Sequence, residues 1–283
     1  MKILLTGANG YIGHFVSNRL SELNIDFVIA TRDSFDYDNL SSIRKYWEME
    51  NISHVIHLAG SVSNDKSNEL FNINIWGLYN LLMVCIEKKV SHFTFVSSNN
   101  VYGSNKEEFE ETDKLQPNWT NIYGLSKYVG ELIVSDFCGF HNLNFANVRV
   151  ADVYGPGQRH GNLMKTIVYS IANNKPLVMH GQGKRKRDYI YVEDVADGLI
   201  HIATNCLEGE YNLGTGVGTT VEQLLNIANS IYENKLDIQY KTLEDEDTST
   251  VVLNIRKLSD TGFTVKYTLE QGLRKLLKGD INE

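Results

Sequence analysis

The sequence predicts an α/β protein built on a doubly wound parallel sheet. Three observations predict it. Short apolar runs alternate with longer helical patterns through the first half of the chain. The first run opens into a glycine loop that leads directly into a helix. The fourth run ends at Ser97-Ser98, and hydroxyls at the carboxyl end of a parallel strand lie where open α/β sheets bind ligands.

The elements follow in order. Ile3-Leu4-Leu5-Thr6 is a short apolar run closed by Gly7, hence a buried strand. Gly7-Ala8-Asn9-Gly10-Tyr11-Ile12-Gly13 comes next, and then Ile12, Val16, Leu20 and Leu23 recur on one helical face. Glycines let a backbone approach a pyrophosphate, and a helix N-terminus meets it with unpaired N–H groups. The spacing is Gly-x-x-Gly-x-x-Gly, and strand, loop, helix is the context a dinucleotide site needs.

Phe27-Val28-Ile29-Ala30 is the second strand. An acidic residue at its end would meet a free ribose 2′-hydroxyl; here Thr31-Arg32 stands there, with Asp33 following. A guanidinium in place of a carboxylate favours a 2′-phosphate, so NADP is expected over NAD. An amphipathic stretch spans Leu40 to Glu50, and Val55-Ile56-His57-Leu58-Ala59 is a third strand closed by Gly60. His57, inside that run, reads as a hydrogen-bonded core histidine. A long helical segment covers about 68–89, and Phe93-Thr94-Phe95-Val96 is the fourth strand. Asn144 to Val150 is a fifth strand, 162–184 is more irregular, and Val221 to Ile231 is helical in pattern.

Composition narrows the class. The chain has 283 residues and 42% hydrophobic content, enough for a core in two fused lobes or one large α/β domain. Its formal charge of −8 argues against general nucleic-acid binding, despite the basic run Lys184-Arg185-Lys186-Arg187. Cys85, Cys138 and Cys206 are widely spaced and show no metal-ligand pattern, so no metal is expected and a reducing, cytoplasmic setting fits. The opening run Met1-Lys2-Ile3-Leu4-Leu5-Thr6-Gly7 is far too short for a signal peptide or a membrane span, and no membrane partner is expected. The acidic run Glu244-Asp245-Glu246-Asp247 reads as a solvated loop.

Tyr123-Gly124-Leu125-Ser126-Lys127 supplies the candidate chemistry. Tyr and Lys four apart lie one turn apart on one helical face. An ammonium held there lowers the pKa of a neighbouring phenol, which becomes a proton donor and acceptor at an alcohol or ketone carbon.

Taken as an ordered set, these stretches resemble an extended short-chain dehydrogenase/reductase of the NAD-dependent epimerase/dehydratase type, acting on nucleotide sugars. The residues carrying the resemblance are Thr6 to Gly13, His57-Leu58-Ala59-Gly60, Asn74, Ser97-Ser98 with Val101-Tyr102-Gly103, and Tyr123 with Lys127. Further on are Arg149, Val153 to Gly157, Arg187 to Val195 and Tyr211 to Gly216.

The resemblance implies a Rossmann-type dinucleotide-binding domain over 1–152, to which later segments return, and a smaller C-terminal α/β substrate lobe over 153–283. It implies that Gly7, Gly10 and Gly13 hold the cofactor pyrophosphate, with Asn9, Tyr11 and Ile12 also among the cofactor-binding residues. Asp36 and Tyr37 match positions that touch the adenine, and Leu58, Ala59, Gly60 and Asn74 complete the cofactor set with Thr31 and Arg32. Ser98 would hydrogen-bond the reacting sugar oxygen, Tyr123 would exchange its proton, and Lys127 would bind the nicotinamide ribose. Asn99, Asn100, Asp152 and Arg187 fall at substrate positions, Arg187 on a nucleotide diphosphate. Asp188 orients a neighbour.

Departures from the family pattern refine the expectation. Relatives that eliminate water carry Asp-Glu after the Ser/Thr; this chain has Asn99-Asn100, and amides do not move those protons. A 4,6-dehydratase is therefore disfavoured. Asp152 replaces a common Asn, and the acidic run 244–247 falls where many relatives carry a second phosphate-binding Arg.

The leading expectation is a reductase that uses NADPH on a nucleotide-linked 4-keto-deoxysugar. The alternative is a nucleotide-sugar 4-epimerase with tightly bound NAD. From another class, the fold also serves as a catalytically silent NADP-binding sensor or scaffold. The resemblance also implies a homodimer, since family members often pack the helix around 68–89 and the Tyr123 helix into a four-helix bundle; Leu78, Leu82 and Ile86 at helical spacing are compatible with that interface, and a core face looks the same.

Overall fold

The computed structural model describes residues 1–31, 36–48, 50–62, 67–103, 106–158, 163–232, 236–244 and 246–280. The chain runs β1 (Ile3–Thr6), α1 (Tyr11–Glu22), β2 (Phe27–Ala30), α2 (Leu40–Glu48), β3 (His54–His57), α3 (Ser67–Phe71) and, after a π-helical turn at Asn72–Gly77, α4 (Leu78–Glu87). Next come β4 (His92–Ser98), a 3₁₀ turn at Asn99–Val101, β5 (Glu108–Phe109), α5 (Ile122–His141), β6 (Asn144–Val150) and β7 (Asp152–Tyr154). They are followed by α6 (Leu163–Ala172), β8 (Leu177–His180), β9 (Lys186–Tyr191), α7 (Val192–Thr204) and β10 (Gly209–Leu213). The last elements are β11 (Gly218–Thr220), α8 (Val221–Ile231), β12 (Ile238–Lys241), β13 (Thr250–Leu253), α9 (Arg256–Ser259) and α10 (Leu269–Asp280).

Two compact units divide the chain. The first comprises Met1–Gly103, Glu111–Val150 and Val195–Leu213. The second comprises Ser104–Glu110, Ala151–Asp194 and Gly214–Glu283.

The first unit is built on a six-stranded parallel sheet in the order β10-β6-β4-β3-β1-β2. The chain leaves β1 for β2 on one side and returns to β3 on the other, so a crevice opens at the carboxyl ends of β1 and β3. β1, β3 and β4 are buried at every position, which is why they read as unbroken apolar runs instead of alternating ones. Leu4, Val55 and Phe93 from the sheet pack with Leu78, Leu82 and Cys85 of α4 and Val134 and Cys138 of α5. Leu78 and Leu82, whose spacing fitted a dimer face or a core face alike, are fully buried core residues. They lie on the helical face that covers the sheet.

Glycines set how closely the helices approach. A Cβ on Gly130 of α5 would stand 2.6 Å from the Phe95 ring, and one on Gly124 would stand 3.1 Å from Asn100. His57 is the core histidine expected: its Nδ1 lies 2.9 Å from Thr6 Oγ1, and burial, then the Lys127 charge, push its pKa down to about 3.

In the second unit β9 is central. It pairs β11 antiparallel and β13 and β7 in parallel, and β13 continues to β5. β8 and β12 form a separate parallel pair. Stretch 162–184, expected to be irregular, contains α6 and β8: Met164, Ile167 and Ile171 of α6 are buried with Leu177 and Met179 against Leu224 and Leu273. Each element is short, and its pattern becomes legible only against α8 and α10. Asp188 is fully buried and accepts from the backbone of Thr215, Gly216 and Leu253 and from the Thr215 hydroxyl, the orienting role expected of it.

Candidate active site

β4 delivers Ser98 at its last position, and the 3₁₀ turn that follows folds back on it. Ser98 Oγ accepts from the Asn100 backbone N–H at 3.2 Å and from Asn100 Nδ2 at 3.0 Å, and donates to Asn99 Oδ1 at 3.3 Å. The lack of a side chain at Gly124 lets the start of α5 reach this turn. Asn121 caps α5, accepting from the Gly124 N–H at 3.2 Å, and so fixes the helix two residues before Tyr123. The structure thus brings the Ser98 hydroxyl near enough to the Tyr123 phenol to act on its pKa.

Lys127 follows one turn later and is buried. Its Nζ donates to the Val96 carbonyl at 2.8 Å and lies 4.9 Å from the centre of the Phe95 ring and 5.9 Å from that of Tyr123. Burial pushes the Lys127 pKa down to about 8, against which the Glu131 charge pulls upward. The expected lowering of the Tyr123 pKa is corrected by the structure: burial raises it to about 12, and the group that offsets burial is Ser98. The desolvation of the phenol outweighs a lysine whose hydrogen bond is directed to strand β4.

Behind these residues lies a network the sequence reading missed. Glu131 stands a further turn along α5. It accepts from Ser97 Oγ and forms a doubly hydrogen-bonded ion pair with Arg149 of β6, Oε2 to Nη2 at 2.8 Å and to Nε at 3.1 Å. Arg149 Nη1 also donates to the Tyr102 hydroxyl, which donates to Asn212. The i, i+4, i+8 spacing of Tyr123, Lys127 and Glu131 was the available signal.

Asn74 sits in the π-helical turn, a local geometry that frequently marks functional sites. Its Oδ1 accepts from the Ser61 N–H at 2.7 Å, and its Nδ2 donates to the Ser61 carbonyl and to Ser126 Oγ. Ser126 Oγ donates in turn to the Tyr123 carbonyl. Asn74 therefore ties the segment after β3 to the catalytic helix.

The glycine loop fits a dinucleotide. Gly7 takes a φ of +70°, and a Cβ there would stand 2.6 Å from the Ala59 nitrogen; one on Gly13 would stand 2.1 Å from the Gly7 carbonyl oxygen. The loop is thereby pressed against Leu58 and Ala59 at the end of β3, and the Ala59 N–H donates to Thr6 Oγ1. Gly10 caps α1 with no side-chain hydrogen bond, and the first turn holds no acid, so its N–H groups face no competing carboxylate there. Of the flanking residues, Asn9 is exposed and Tyr11 and Ile12 are half-buried, Tyr11 with its ring edge-on to Phe15. A Cβ on Gly60 would stand 3.1 Å from Asn74 Oδ1, so this glycine too lies where backbone and side chains converge.

Thr31 follows β2 directly and is half-buried, whereas Arg32 lies outside the described residues. Asp36 is exposed and accepts from the Asp38 N–H. Tyr37 packs its ring against Gly77 and edge-on to His57, and its buried phenol lies beside Thr6.

The remaining substrate candidates, Asp152 and Arg187, belong to the second unit. Asp152 begins β7 opposite Tyr189, and its charge acts on Arg187. Arg187 donates from Nη1 to the Lys186 and Ser249 carbonyls and from Nη2 to Ser249 Oγ, and lies 3.8 Å from Asp247. The acidic run expected to be a solvated loop is engaged: Asp247 faces Arg185 and Arg187, and Glu246 accepts from the Lys184 N–H at 2.9 Å. No group of metal-ligating side chains occurs among the described residues.

The profile of the NAD dependent epimerase/dehydratase family matches residues 3–214. The chain belongs to that family. A dTDP-D-glucose 4,6-dehydratase from Mus musculus is 26% identical over 98% of this chain and 88% of its own length. Among solved structures, a UDP-glucose 4-epimerase from Thermotoga maritima with UDP-glucose is 26% identical, covers 100% of this chain and 99% of its own, and superposes with a TM-score of 0.87. A UDP-glucose 4-epimerase from Thermus thermophilus in complex with NAD is 25% identical, with 99% and 98% covered and a TM-score of 0.86. The Rossmann-like parallel sheet expected of the family is the sheet of the first unit. Among the described residues no helix is long and apolar enough to cross a membrane.

Proposed function

We propose that this chain is an NAD(P)-dependent nucleotide-sugar oxidoreductase, working as a reductase of a nucleotide-linked 4-keto-sugar. The observation that carries this reading is the placing of the Ser98 hydroxyl near the Tyr123 phenol at the carboxyl end of β4, with Lys127 Nζ 5.9 Å from the Tyr123 ring. A nicotinamide dinucleotide held by its pyrophosphate at the glycine loop would supply the hydride. Ser98 orients the substrate oxygen, and Tyr123 gives it a proton. A phenol raised to about 12 is protonated at neutral pH, which suits a donor to a newly formed alkoxide. Lys127 holds positive charge beside the ribose position, and Asn74 and Ser126 fix the backbone of the helix that carries Tyr123.

Nucleotide sugars are the substrate class because the relatives named above act on, or were solved with, such compounds. NADPH is the proposed cofactor on the strength of Thr31-Arg32 in place of a carboxylate. The 4-epimerase with NAD remains the second reading, favoured by the two similar solved epimerases. A dehydratase is disfavoured because Asn99 and Asn100 are amides, and Asn100 uses its Nδ2 on Ser98. Incubation with NADPH and a nucleotide 4-ketosugar decides between them: one NADPH consumed per sugar supports the reductase, and epimerisation without net consumption replaces it with the epimerase. Tyr123→Phe is expected to lower turnover by about 10²–10⁴-fold while dinucleotide binding persists. Unchanged cellular function in that variant would instead favour a silent sensor or scaffold.

We also propose a homodimer formed through α4 and α5. Tyr79 meets Phe137 at 5.5 Å between ring centres, Phe137 meets His141 at 4.7 Å and His141 meets Phe140 at 5.0 Å, with Phe140 82% exposed. Sedimentation of the wild type as a dimer, and of Phe140→Ser with a weakened dimer, tests this surface.

A further inference from the structure

Residues 181–185 connect β8 to β9, and the turn 181–184 within them holds two glycines with positive φ, Gly181 at +82° and Gly183 at +73°. The turn is pinned at both ends, by the Gly181 N–H on the Lys241 carbonyl and by the Glu222 N–H on the Gly183 carbonyl. Left-handed residues in such a turn aim successive backbone N–H groups into one concavity, a nest that binds anions. Here the anion is part of the chain: Glu246 places its carboxylate in the concavity, accepting from the Lys184 N–H at 2.9 Å, and the backbone N–H groups of Lys184, Gln182 and Gly183 hold its pKa below the usual carboxylate value. The fit is close, since a Cβ on Gly181 would stand 2.7 Å from the Glu246 carboxyl carbon.

The surroundings suit an anionic ligand. Glu246 and Gly183 line a cavity of about 300 Å³ whose apolar side is formed by Leu177, Met179 and Val221 and whose cation is Arg185. Arg185 and Arg187 both face Asp247, at 3.9 and 3.8 Å, so each guanidinium already has a carboxylate near it. Both carboxylates of this site reach solvent. Asp247 is 55% exposed, and Glu246 is half-buried. Charges paired at the surface in this way exchange partners with water at little cost.

We propose that the 181–184 nest is a binding site for a phosphoryl group and that Glu246 is its tethered occupant, displaced when the ligand binds. Glu246 then sets how strongly the cavity discriminates for anions: a phosphoryl group gains the backbone N–H groups of the turn only by turning Glu246 out to solvent. The proposal builds on the nucleotide-sugar reading for the source of the phosphoryl group, but the nest itself is independent of the chemistry at Tyr123.

Calorimetric titration of the full chain with pyrophosphate, uridine and UDP tests it. Glu246→Ala is expected to tighten pyrophosphate about threefold to tenfold and to leave uridine unchanged. Gly181→Ala is expected to weaken pyrophosphate below wild type, because the new Cβ fills the space of the anion. Glu244→Ala removes the same charge from an exposed position two residues away and is expected to change little. Circular dichroism verifies that each variant is folded. The proposal is overturned if folded Glu246→Ala binds pyrophosphate no more tightly than wild type. It is equally overturned if Glu244→Ala tightens binding as much, or if folded Gly181→Ala binds as tightly as Glu246→Ala. Tightened UDP in step with pyrophosphate assigns the phosphoryl group to a nucleotide. Tightened pyrophosphate with no binding of UDP or uridine keeps the nest and removes the nucleotide-sugar reading.

Discussion

Lys127 ends its reach at the Val96 carbonyl, and burial depresses its pKa to about 8 from an ordinary value of 10.5. Between these two values the unfolded chain binds a proton that the folded chain does not. Stability therefore rises with pH across that window, by roughly 3 kcal/mol for the single group. Below pH 8 the folded chain bears the full cost of a buried ammonium. Denaturant melts from pH 7 to 10.5 should show this slope in the wild type and lose it in Lys127→Met. A slope that survives the substitution would assign it to other groups. The Tyr–Lys spacing was legible in the sequence because four residues make one helical turn. The direction of the phenol's pKa was not, because desolvation depends on how α5 meets β4.

At the scale of elements, α5 carries both the Tyr123–Lys127 pair proposed for the chemistry and the anchor that fixes it. Glu131 and Arg149 are each 4% exposed, and their ion pair joins α5 to β6 and, through Ser97, to β4. Glu131→Gln removes one charge and leaves a buried guanidinium with a weaker partner. The expected cost is about 3–5 kcal/mol, measured by urea unfolding. The pair contributes more to holding Ser98 and Tyr123 in register than to net stability, so a double substitution by apolar residues should recover stability but not turnover. In the glycine loop, Gly13→Ala forces a Cβ to within 2.1 Å of the Gly7 carbonyl oxygen. Its relief would move the loop, and dinucleotide binding should weaken about tenfold or more. The glycine loop and the strands around it could be read in advance, since their signals lie within a few consecutive residues. Elements α6 and β8 could not, because they are short and are completed by α8 and α10 from far along the chain.

At the scale of the molecule, the strand order β2-β1-β3 places the cofactor crevice at the carboxyl ends of β1 and β3, beside the Ser98 end of β4. Cofactor preference is a property of the whole binding surface, read through stability. NADPH at about a hundred times its Kd should add about 2.7 kcal/mol and raise the melting temperature by several degrees. The same concentration of NADH should raise it less if Arg32 meets a 2′-phosphate. Equal rises would move the proposal to NAD and strengthen the epimerase reading.

The sequence by itself determined the parallel sheet, the glycine loop, the serine at the end of β4 and the Tyr–Lys pair, because each is encoded by neighbours along the chain. Tertiary structure alone decided which apolar face became core, as Leu78 and Leu82 show, and which acid answers which base, as Glu131 with Arg149 and Glu246 with the 181–184 turn show. Periodicity fixes which side chains share a face, but burial and pairing depend on partners brought together by folding, and those partners are distant in sequence.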